Sequence, residues 1–197
     1  MTDDISRRDF LAATATLAAG SQLPIGAIAN PAQAAPAKGT VIVFQGDSIT
    51  DSGRNRESAD PNAAGALGNG YPLLVASAVL AARPASEFRF YNRGISGNKV
   101  PDDETRKALP RVHLIVLEPF VLRTGAVDAR WFPEFDQRRA AAARVATHAR
   151  ATFVPLQSIF DQRVRTAPAA YWAADGVHPT PAGHAVIAAE WRRAARL

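Results

Sequence analysis

Thr40-Val41-Ile42-Val43-Phe44 runs directly into Gln45-Gly46-Asp47-Ser48-Ile49-Thr50-Asp51, and the join between the two stretches decides the fold. The first is a short run of β-branched and aromatic residues closed by Gly39 and Gly46. It is too short for a helix and lacks polar alternation, so it predicts a strand buried on both faces. The second starts at a glycine that permits a tight turn, and Asp47 can fix that turn through local backbone hydrogen bonds. A strand, a turn and then a serine at the entry of a helix is an α/β junction.

Working outward, residues 52–70 carry Gly53, Gly65, Gly68 and Gly70 among small and polar residues, which is loop chemistry. Tyr71-Pro72 opens LLVASAVLAARP, a helix apolar nearly all round that ends near Pro84. Phe88 to Asn92 is a second strand, followed by the turn Gly94-Ile95-Ser96-Gly97-Asn98. Val112 to Leu117 is a third, ending at Glu118-Pro119. An alanine-rich helix is predicted over 133–149 with Pro133 in its first turn. Thr152 to Leu156 is a last strand, and a closing helix runs from Pro181 to Arg193 with Thr180 as N-cap. Alternating strands and helices predict a three-layer α/β/α sandwich with a mostly parallel sheet, flavodoxin-like in plan, with chemistry on loops beyond the strands' carboxyl ends.

Ser48 sits on such a loop. Its plain structural role is to cap the next helix; its chemical role is that of a nucleophile, with nearby backbone N–H groups receiving an oxyanion. Trp172-Ala173-Ala174-Asp175-Gly176-Val177-His178-Pro179-Thr180 supplies what a nucleophile needs. His178 can take and return a proton if a carboxylate holds its other ring nitrogen, and Asp175, three residues earlier, can curl back to do so.

The blocks G-D-S-I-T at Gly46, N-x-G-I-S-G-N from Asn92 to Asn98 and D-G-V-H-P-T at Asp175, with the closing P-A-G-H, resemble those of the GDSL/SGNH hydrolase superfamily, whose layout residues 40–195 follow. The resemblance implies a serine esterase for short acyl esters, often acetyl groups on carbohydrates. Ser48 matches the nucleophile and a first oxyanion donor through its backbone N–H, Gly97 a second donor, and Asp175 and His178 the rest of the triad. The superfamily's further block, G-x-N-D, which follows a strand of its own and gives an asparagine as third donor, is nowhere in this chain. Only Pro101-Asp-Asp-Glu-Thr-Arg-Lys-Ala-Leu-Pro-Arg111 separates Val100 from Val112, too little for a crossover and its strand. A deletion is therefore expected near 101–110, removing an inner strand; a lost oxyanion donor costs roughly 2.7–4 kcal/mol of transition-state stabilisation. Asn98 is a candidate replacement donor, against a simple turn role. Arg54, Asn55, Arg123 and Trp172 are candidates for the substrate cleft, against ordinary loop roles.

Composition narrows the field. The 197-residue chain is 47% apolar and 21% charged, with a net charge of +5 and a pI near 10.2. Its arginines are scattered and not interleaved with aromatics, which argues against a nucleic-acid groove. Without cysteine there are no disulfides and no thiolate chemistry. His184 packs or caps and no ligand spacing recurs, so neither a metal nor a cofactor is expected. At the N-terminus, Arg7-Arg8, a weakly apolar stretch and Ala32-Gln33-Ala34 read as a twin-arginine signal peptide over 1–34, leaving 35–197 as one domain. That reading implies the twin-arginine export machinery as a partner, a periplasmic or secreted location and no stable membrane insertion. Three functional readings stand at this level: ester hydrolysis through Ser48, a catalytically impaired carbohydrate-binding or scaffold protein, and a chain too depleted to hold a native domain.

Overall fold

A computed structural model describes residues 36–98, 105 and 108–197. Residues 1–34, expected to be a signal peptide, and most of the 101–110 stretch lie outside the described residues. The elements within them run β1 (Val41–Phe44), α1 (Ser48–Asp51), α2 (Ala64–Leu67), α3 (Tyr71–Ala82), β2 (Arg89–Asn92), β3 (Ile115–Leu117), α4 (Phe132–His148), β4 (Thr152–Val154), α5 (Leu156–Arg163), α6 (Ala169–Trp172) and α7 (Pro181–Ala195).

The α/β class and the parallel strands are as the sequence predicts. β1 pairs with β2 from Val41↔Arg89 to Phe44↔Asn92, and β3 pairs with β4 from Ile115↔Thr152 to Leu117↔Val154. Among the described residues these are two separate two-stranded sheets, so the sheet is reduced to four strands. Parallel neighbours need a crossover of a dozen or more residues, and the 11 from Pro101 to Arg111 are too few for a crossover and a strand.

One expectation fails at β1. The strand is buried on one face only: Ile42 and Phe44 are buried, whereas Val41 and Val43 are 47% and 55% exposed. The buried face rests on aromatic packing, with Phe44 edge-on to Tyr71 at 5.5 Å, stacked on Phe90 at 6.2 Å and tilted against Trp191 at 5.1 Å. α7 packs on α3, β3 and β4, and Val75, Val79 and Ile187 are fully enclosed in the same core. β3 is only half-buried throughout, and of the 17 residues of α4 Ala146 alone is buried. Short alanine side chains bring little apolar area to that contact.

Local chemistry sets the helix ends. Pro72 lies in the first turn of α3, and the helix stops at Arg83 because the following Pro84 disfavours helical dihedrals there. The Thr180 hydroxyl accepts from Gly183 N at 3.2 Å and caps α7, as predicted. The sequence reading passed over α5 and α6. Leu156 and Phe160, buried four residues apart, carried the signal for α5.

Candidate active site

β1 delivers Ser48 into the first turn of α1, where the Asp47 carboxylate accepts from Ile49 N at 3.0 Å and fixes the entry. The opposite partner comes from the loop before α7. Ser48 Oγ lies 3.0 Å from His178 Nε2, closing a separation of 130 residues. His178 Nδ1 lies 2.7 Å from Asp175 Oδ2, and the other carboxylate oxygen accepts from His178 N at 2.7 Å and Val177 N at 2.9 Å. An ionised carboxylate only accepts, so the imidazole proton sits on Nδ1 and Nε2 is left to accept from the serine hydroxyl.

Burial alone would raise the Asp175 carboxyl. The bond from the His178 ring, the N–H groups of His178 and Val177 and the charge at His178 outweigh it and bring the pKa down to about 2. Asp175 is therefore ionised across the neutral range. Both side chains are more than half exposed, at 55% for His178 and 53% for Asp175, so their pairing works against solvent screening.

The loop after β3 braces this pair, and the loop after β2 braces the serine's helix. After β3, Leu122 N donates to Gly176 O at 2.8 Å, and Gly125, at φ +59°, passes so near the Asp175 backbone that a Cβ would meet it at 2.7 Å. After β2, the turn from Asn92 to Asn98 is bound to α1. Fully buried Asn92 donates to Thr50 O at 2.6 Å and Leu67 O at 2.8 Å and accepts from Gly94 N at 2.9 Å. Buried Asp51 accepts from Ser96 N and Ser96 Oγ, each at 3.0 Å, and pairs with Arg56. Burial pushes the Asp51 carboxyl up, but the Arg56 and Ser96 bonds and the Arg56 charge leave it lowered. Gly97 is exposed at φ +83°, and among the described residues neither its N–H nor that of Ser48 donates to a protein acceptor. Asn98 is exposed, its side chain bonded to none of the described residues.

The cleft candidates separate. Arg54 Nε donates to Gly94 O at 2.9 Å, holding the turn from within the protein. Asn55 is exposed and its side chain accepts from Glu57 N at 3.0 Å. Arg123 is exposed, its guanidinium 4.6 Å above the Phe132 ring. Trp172 is 9% exposed in the hydrophobic core, with its indole N–H donating to Ala167 O at 3.3 Å, so its ring supports the loop from below. His184 accepts from Tyr71 N at 3.2 Å and joins α7 to α3. Asp51, Arg56 and Ser96 were not legible as a unit in the sequence, although Asp51 directly follows the G-D-S-I-T block and Ser96 lies in the block from Asn92 to Asn98.

No family model matches the chain. A solved structure from Parabacteroides merdae, described as a GDSL-like lipase, is 34% identical, with a TM-score of 0.77 over 82% of this chain and 98% of its own. The chain belongs to the GDSL/SGNH hydrolase superfamily. A Geobacillus stearothermophilus acetylxylan esterase is 27% identical over 206 residues, 79% of this chain and 93% of that protein. One of its structures gives a TM-score of 0.68 at 24% identity, covering 83% and 97%, a likeness of fold. The 206 aligned positions draw on 79% of 197 residues, about 156, so roughly 50 positions of that relative have no counterpart here. Relative to that esterase, this GDSL/SGNH chain is thus shorter within the aligned stretch.

Proposed function

We propose that the protein hydrolyses short acyl esters, in particular acetyl esters on carbohydrates, through an acyl-enzyme at Ser48. The observation that carries this reading is the unbroken chain from Ser48 Oγ to His178 Nε2 at 3.0 Å and from His178 Nδ1 to Asp175 Oδ2 at 2.7 Å. Superfamily membership and the acetylxylan esterase relative support the substrate class.

In the reaction, Ser48 Oγ bonds to the acyl carbon while its proton passes to His178 Nε2. The imidazolium is held by ionised Asp175. The carbonyl oxygen becomes an oxyanion that the N–H groups of Ser48 and Gly97 receive, with the Asn98 amide as a third candidate donor. Collapse breaks the bond to the alcohol, which leaves with the proton from His178. Water then attacks the acyl-serine and gives a proton to His178, and as the bond to Ser48 Oγ breaks His178 returns that proton to the serine and the acid is released. Arg123 and Asn55, both exposed, are candidate side chains for the alcohol portion of the substrate, while Arg54 orders the Gly94 turn. With the G-x-N-D asparagine missing and the acid–base pair exposed, turnover is expected to be about 100- to 1,000-fold below that of a three-donor site.

Export by the twin-arginine machinery and a periplasmic or secreted location belong to the same reading. Among the described residues no helix is long and apolar enough to cross a membrane. The deciding experiment is turnover of p-nitrophenyl acetate by the wild-type and Ser48→Ala proteins. Loss of turnover in the variant supports the assignment, and equal rates refute it.

A further inference from the structure

The network behind Ser96 takes no part in proton transfer, yet it fastens one proposed oxyanion donor to the other. Asp51 is the last residue of α1 and Ser48 the first, so the Asp51 carboxylate moves with the nucleophile's own turn. Its Oδ2 receives both the N–H and the hydroxyl of Ser96, the residue before Gly97. The β2 turn is pressed onto the same helix, because a Cβ on Gly94 would collide with Asp51 N, and Ile95 N donates to Gly46 O at 2.9 Å. Asn92 and Arg54 complete the attachment from either side, through Gly94 N and Gly94 O.

We propose that Asp51 is a positioning residue that sets the Gly97 N–H against Ser48, with Arg56 as its counter-ion. The inference rests on the serine-hydrolase reading and deepens it. In a chain without G-x-N-D the two main-chain donors carry most of the oxyanion stabilisation, and donors help only when held at hydrogen-bond distance before charge develops. The Asp51 side chain is 5% exposed, and a bare carboxylate so enclosed would oppose an oxyanion formed beside it. Arg56 cancels that charge from the solvent side while leaving Oδ2 bonded to Ser96.

The test compares Asp51→Ala, Asp51→Asn and Ser96→Ala, reading kcat and KM for p-nitrophenyl acetate, thermal unfolding, and amide hydrogen exchange at Ser96 and Gly97. Asp51→Ala should lower kcat about tenfold to a hundredfold with KM unchanged and speed exchange at Ser96. Asp51→Asn, whose Oδ1 still accepts, should recover much of both. Wild-type kcat in Asp51→Ala, or equal loss in Asn and Ala, overturns the proposal. If Asp51→Ala has no cooperative transition, Ser96→Ala decides: a several-fold fall in kcat at constant KM supports the positioning role and an unchanged kcat overturns it. If wild-type turnover equals that of Ser48→Ala, the hydrolase reading fails. The exchange data then judge the clamp alone, and unchanged Ser96 exchange in Asp51→Ala, or in Asp51→Leu if Asp51→Ala does not fold, overturns it.

Discussion

Lowering the pH from 7 to 5 should loosen the protein through one buried imidazole, His184. It is 7% exposed, its Nδ1 accepts from Tyr71 N, and burial, aided by the charge at His178, pushes its pKa from 6.5 to about 4. The folded state therefore binds a proton less readily than the unfolded chain. Its contribution is fully present above pH 6.5 and is lost progressively as pH falls toward 4. With those two values the loss at pH 5 is at most about 2 kcal/mol, since residual solvent contact weakens it. The carboxylates of Asp51 and Asp175, both lowered from 3.8, weigh in only at more acid pH.

Urea unfolding followed by tryptophan fluorescence reads this directly. Trp172 and Trp191 are both buried and report core opening. At a slope of about 2 kcal/mol per molar, the wild-type midpoint should fall by about 1 M between pH 7 and pH 5. His184→Asn places a side-chain oxygen where Nδ1 accepts and removes the titration. It should lose about 1–2 kcal/mol at pH 7 through the missing ring, yet most of the shift between the two pH values should vanish. A wild-type midpoint that does not move, or a variant that keeps the whole shift, refutes the linkage.

Two further outcomes follow from the geometry. Asp175→Asn keeps the shape of the loop but cannot hold His178 in the required tautomer, so kcat for p-nitrophenyl acetate should drop by about 10⁴ with KM little changed; stopped assays at high enzyme concentration will measure it. Val43→Thr, on the exposed face of β1, should alter unfolding free energy by less than about 0.5 kcal/mol, whereas Phe44→Ala next to it should cost about 3–5 kcal/mol, and paired urea titrations compare the two.

Much of the site was legible because its interactions are short in sequence. Asp175 and His178 are three residues apart, and the Asp47 and Thr180 caps act within three residues of their donors. Such contacts depend on dihedral preferences and donor–acceptor spacing, which residue order fixes almost alone. The fold class was legible from apolar runs of strand length, since a strand's pattern repeats locally. β1 was misread because burial on its second face depends on what another segment brings to it, and a run such as Val-Ile-Val-Phe is the same whether or not that segment is there.

Residue order therefore determined the strands, the helix caps and the ready-made Asp175/His178 pair. Tertiary structure alone decided that Ser48 meets His178 across 130 residues, that Asp51 reaches Ser96, that Trp172 lies in the core, and that the four strands among the described residues form two pairs. The first group is fixed by neighbours along the chain. The second depends on which distant surfaces exclude water from each other, a balance struck only when the whole chain packs.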